Sequence, residues 1–211
     1  MTKRFSTFLL CLGLGICINT HAQSQSFLIL GDIHYDLLEN HDMEWLQKKP
    51  DDLRQVTTEY TQFTKKNWPA FSKQLRNRVK TYKPEIKAIL QLGDISEGLA
   101  GSEQKAEQMA QSVVKAVDAV AMSIPWIITK GNHDITGPGA QEAFIKYYIP
   151  MFQKQLDRTD IASANYAHQI GENLFVCFDP WEKKIDVLEL LEKNLKSSNA
   201  KYKFVMLHEP V

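Results

Sequence analysis

Cysteine is scarce in this sequence, with three in 211 residues. Two of them, Cys11 and Cys17, fall in an apolar N-terminal run, so the remainder holds Cys177 alone and no internal disulfide framework. Glycine and proline are also sparse, at 10 and 8 residues, which excludes a collagen-like or low-complexity chain. Net charge is absent, because 25 basic residues balance 25 acidic ones. No overall basic field therefore recruits nucleic acid or an anionic membrane. What is present is a globular composition, 44% hydrophobic and 24% charged. The length suits one domain whose core needs no cross-link.

The N-terminus reads as a leader. Lys3 and Arg4 precede the apolar stretch Phe5 to Ile18, and the small residue Ala22 follows. A basic start, a short apolar run and a small residue define a secretory signal peptide over residues 1–22, cleaved after Ala22. The apolar run is shorter than the roughly 20 residues that span a bilayer. The bulky Ile16 before Cys17 does not suit a lipoprotein cleavage site. The expectation is an exported protein, periplasmic or secreted, with no transmembrane segment after cleavage. Losing Lys3 and Arg4 leaves 23 basic residues against 25 acidic ones. Cys177, in the run Leu174–Phe178, reads as a small buried hydrophobe.

Residues 23–211 read as one domain. Short apolar runs close on glycine and polar residues: 27–30 before Gly31-Asp32, 86–92 before Gly93-Asp94, and 126–129 before Gly131-Asn132-His133-Asp134. These are buried strands. The intervening stretches favour helices over 51–66, 69–82 (with Pro69 in its first turn), 102–121, 140–156 and 183–196. Within 102–121, Ser102 stands at the N-cap and Met109, Val113, Val117 and Val120 recur at helical spacing. Residues 165–170 and 173–178 form a hairpin about Gly171-Glu172, and 203–207 is a last strand. Alternation of this kind gives an α/β core, parallel in its first half and antiparallel at the hairpin.

Ligands of α/β sheets bind where the carboxyl ends of strands meet the following loops. Three strands here end in Asp32-Ile33-His34, Gly93-Asp94 and Gly131-Asn132-His133-Asp134. Each motif alone is an ordinary polar turn. Together they gather carboxylate, imidazole and amide at one sheet edge, a donor set suited to Zn, Fe or Mn. Asp32 and His34, two apart, would project to one side of an extended strand end and could share an ion.

Asp32-Ile33-His34, Gly93-Asp94-Ile95-Ser96-Glu97-Gly98, Gly131-Asn132-His133-Asp134 and His208 after the strand Phe204–Leu207 resemble four signature blocks of the calcineurin-like metallophosphoesterases. The resemblance implies a four-layer α/β/β/α sandwich and two divalent metal ions, Mn, Fe or Zn. It places Asp32 and His34 on the first ion, makes Asp94 the bridge, and gives Asn132 and His208 to the second. It makes His133 the histidine that protonates the leaving oxygen or steadies the transferring phosphoryl group, oriented by Asp134. The implied activity is hydrolysis of a phosphate mono- or diester by a metal-bound hydroxide. The substrate would be a small phosphate ester, a nucleotide or a phospholipid, with no stable nucleic-acid partner.

Three departures qualify the resemblance. No tyrosine stands where the purple acid phosphatases carry their iron-binding tyrosinate, which argues against a ferric purple site. Glu97 has two readings, a hydrogen-bond acceptor behind the metal ligands or a helix-entry residue, and the second is preferred. The family's last block, Gly-His-x-His, does not follow His208, so the domain is expected to lack its C-terminal part and to have an incomplete second sheet. The alternative reading is a non-catalytic fragment or phosphate-binding module of the same fold. Elsewhere, His41 reads as a solvated loop residue, His168 as a strand surface residue and Asp179 as part of a turn. Tyr35 and Asp36 are candidates to line a phosphate pocket, and the insert from Tyr35 to Glu85 is a candidate cap over the site.

Overall fold

The computed structural model describes residues 24–183 and 186–209, so the signal peptide expected at residues 1–22 lies outside the described residues. In chain order the elements begin with β1 (Ser26–Leu30), α1 (Met43–Leu46), α2 (Pro50–Gln55) and a π-helical turn (Val56–Tyr60). They continue with α3 (Thr61–Thr81), β2 (Ile86–Gln91), α4 (Glu103–Val120) and β3 (Trp126–Ile128). Next come α5 (Ala140–Ala143), a second π-helical turn (Phe144–Tyr148) and α6 (Ile149–Leu156). The chain closes with β4 (Tyr166–Ile170), β5 (Asn173–Cys177), α7 (Val187–Ser197) and β6 (Tyr202–Met206).

Two three-stranded sheets result. β1, β2 and β3 are parallel in that order, while β4 pairs antiparallel with β5, which pairs parallel with β6. The sheets pack face to face: Phe27 of β1 meets Phe175 of β5 edge to face at 4.8 Å between ring centroids. The Tyr166 hydroxyl of β4 bonds both the N–H and the carbonyl of Ile128 in β3. The α4 face of Met109, Val113, Val117 and Val120 is buried in the main core, as the spacing predicts. Each such side chain contributes about 1.5–3 kcal/mol by leaving water. On the far side, Leu191 and Leu195 of α7 cover Leu174 and Val176 of β5. The layers are thus α/β/β/α. Among the described residues no helix is long and apolar enough to cross a membrane.

Three local expectations change. The helices expected at 51–66 and 69–82 are one continuous helical run from Pro50 to Thr81, with Pro69 inside α3. Pro69 lies on the exposed side, so water can serve the carbonyl its missing N–H leaves free. Ser102 stands in extended backbone before α4, but its hydroxyl makes no cap; its carbonyl accepts from Ala106 instead. Cys177 is buried as expected, and burial pushes its thiol up to about 12. Asp179 is more than a turn residue: it is buried and ion-paired with the buried Lys130, just before the Gly131 loop.

Candidate metal centre

Beyond β1 and β2 the two chains continue side by side. Asp32, His34 and Tyr35 donate their N–H groups to the carbonyls of Gly93, Asp94 and Ile95. This ladder carries the first polar loop along the second. Asp32, His34 and Asp94 all adopt left-handed backbone, with φ of 48°, 45° and 51°. The extended strand end expected for Asp32 and His34 is therefore not what brings them together. Such conformations cost about 1–3 kcal/mol for ordinary side chains and persist where the surroundings fix them.

The side chains converge on Asp94, which is 3% exposed. Its Oδ2 lies 3.1 Å from His208 Nε2 and 3.7 Å from His34 Nε2, while Asp32 Oδ1 lies 4.0 Å from His34 Nε2. Asn132 Oδ1 stands 3.1 Å from His208 Nε2. Among the described residues two groups have ligand atoms close enough for a cation: His34, Asp94 and His133, and Asp32, Asp94 and His208. Asp94 belongs to both. The third loop approaches closely because Gly131 has no side chain; a Cβ there would stand 2.1 Å from Asp94 Oδ1. His133 N–H in turn donates to Asp94 Oδ1 at 2.9 Å. His208 comes from the second sheet and is anchored to the first by Nδ1, which donates to the Leu92 carbonyl at 2.8 Å.

Glu97 is fully buried and central, not a helix-entry residue. Its Oε2 accepts from His34 Nδ1 at 2.8 Å, and its carbonyl accepts from His133 Nδ1 at 2.8 Å. Burial works against its charge, yet His133 and His34 hold its pKa below the ordinary glutamate value. The same neighbour, opposed by burial, raises His133 to about 9. Asp134 does not take the role expected of it. Its Oδ1 accepts from the N–H and hydroxyl of Ser96, and its Oδ2 from the Gly131 N–H. It bolts the second and third loops together while Glu97 receives the His133 ring. Burial raises the Asp134 pKa to about 6, against the hydrogen bonds from Ser96 and Gly131.

His41 is buried rather than solvated. Nε2 donates to Asp36 Oδ1 at 2.7 Å and Nδ1 to the Leu99 carbonyl at 3.0 Å. Burial opposes its charge, but Asp36 lifts its pKa above the usual imidazole value. Asp36 therefore braces the loops from below instead of lining a phosphate pocket. Tyr35 likewise packs edge to face on Trp68. His168 is a half-buried residue of β4.

The insert adds one residue that no motif marks. Tyr60, at the end of the first π-helical turn, stacks on His34 with ring centroids 4.9 Å apart. Burial, then the carboxylates of Glu97, Glu59, Asp94 and Asp32, hold its phenol above the ordinary tyrosine value.

Residues 26–211 match the family model described as calcineurin-like phosphoesterase, and the chain belongs to that family. Twelve chains of solved structures match it. One is the purple acid phosphatase PPD1 from yellow lupin (Lupinus luteus) seeds, at 15% identity and a TM-score of 0.49. That match covers 87% of this chain and 30% of the lupin chain. No curated protein matches the sequence.

Proposed function

We propose that this chain is a metal-dependent hydrolase of phosphate mono- or diesters, exported by means of the leader at residues 1–22. The observation that carries the reading is Asp94, buried and common to two groups of possible ligands. The donors fit divalent ions. His34 and His208 each spend Nδ1 on a fixed acceptor, which leaves an Nε2 lone pair turned toward the cluster. Nitrogen donors mixed with carboxylate and amide oxygens suit Mn, Fe or Zn. The family resemblance would give one ion to Asp32, His34 and Asp94 and the other to Asp94, Asn132 and His208, whereas the side chains as placed group His34 and Asp94 with His133, and Asp32 and Asp94 with His208.

Such a pair of ions supplies Lewis acidity, neutralises phosphoryl charge and lowers the pKa of water. The chain's own residues supply position and a proton. Glu97 fixes the His34 ring. His133, whose Nδ1 is held by the Glu97 carbonyl, has Nε2 left to donate a proton to the leaving oxygen. The neutral chain favours a small phosphate ester, a nucleotide or a phospholipid headgroup over nucleic acid.

Hydrolysis of p-nitrophenyl phosphate or its diester by protein loaded with Mn, Fe or Zn is the expected result. His133→Asn should lower kcat by about 100-fold or more. Absence of turnover with all three metals would sink the reading.

A further inference from the structure

A cavity of about 260 Å³ opens beside Asp32, between the end of β1 and the insert helix. Phe63, Trp68 and Phe71 of α3 face Leu30 and Ile33 across it, with Thr64 and Asn67 as polar lining. Phe63, Asn67 and Phe71 stand at i, i+4 and i+8, and Thr64 and Trp68 lie one position further round the same side of the helix. Their face is held against the candidate centre by three contacts. Tyr60 stacks on His34, Thr64 Oγ1 donates to the His34 carbonyl at 3.5 Å, and the same oxygen accepts from Asp36 N–H at 2.9 Å. Phe63 is 56% exposed although it is a large apolar residue, so its ring stands available at the mouth.

We infer that this cavity is the leaving-group subsite and that the ester it selects carries a planar aromatic ring, aryl or heteroaryl, beside the phosphate. The inference rests on the phosphoesterase reading and names its substrate class. Three aromatic side chains suit a ring, which gains from offset or edge-to-face packing. The size agrees: apolar cavities of about 150 Å³ already hold benzene. Continuity with the centre is direct, because Asp32 belongs both to the cavity wall and to a group of possible ligands.

The test compares phenylphosphonate with methylphosphonate by calorimetric titration of the full chain loaded with Mn, alongside hydrolysis of phenyl phosphate and methyl phosphate. The wild type should bind the phenyl compound about tenfold more tightly than the methyl one. Phe63→Ala, a change at an exposed position, should bring the two within twofold, and Phe63→Trp should restore the preference. Equal binding in the wild type, or a preference that survives Phe63→Ala, would overturn the inference. The two readings fail separately. Turnover of both esters with equal binding removes only the aromatic subsite, whereas a phenyl preference without turnover removes the phosphoesterase and leaves an aromatic pocket with no leaving group to select.

Discussion

Glu97 and His133 show how single residues set the properties of the centre. Glu97 is fully buried and offers one oxygen to the ring nitrogen of His34 that faces away from Asp94. Carboxylates behind metal-binding histidines orient the ring and raise its basicity. Glu97→Gln should therefore weaken metal binding by about 10–100-fold in an equilibrium titration, with the fold retained. His133 gives a pH signature in metal-free protein. Its pKa lies at about 9 in the folded chain, above the ordinary 6.5. A raised histidine contributes stability that is complete below about pH 6.5 and is lost as pH rises through about 9. The stability difference between wild type and His133→Gln, read by urea unfolding, should shrink across that window. The ligand candidates were legible in the sequence because polar residues directly follow apolar strands. Glu97, Tyr60 and His41 were not, since each acquires its role from a distant partner; Glu97 and His34 are 63 positions apart.

At the scale of elements, the strands and most helices follow from apolar periodicity, and the polar loops from the glycines that end them. Backbone conformation within those loops did not. The sequence pattern allows an extended Asp32-Ile33-His34, but the ladder to Gly93, Asp94 and Ile95 turns Asp32 and His34 left-handed. Pro69 misled for a related reason. Proline usually marks a helix start, yet Pro69 stands at an exposed interior position, where water can serve the carbonyl that its missing N–H leaves free. Close packing of loop on loop makes Gly131 a sharp probe. An added methyl would meet Asp94 Oδ1 at 2.1 Å and the Asp94 nitrogen at 2.2 Å. Gly131→Ala should lower unfolding stability by about 1–3 kcal/mol in denaturant titration and displace Asp94 from the cluster.

For the whole molecule, the centre exists because two sheets meet. The first contributes Asp32, His34, Asp94, Asn132 and His133 from its three strand ends. The second contributes His208, fastened across the interface to Leu92 and facing Asp94 and Asn132. That assembly was readable only through the resemblance of ordered motifs, since no local pattern tells which sheet carries His208 to the others. Asp94 is where both halves join, so it is the place to test the account. Metal analysis of the purified full chain, wild type beside Asp94→Ala, measures this directly. The account predicts two divalent ions per wild-type chain and loss of both in the variant. A wild type that binds none, or a variant that keeps both, would contradict it.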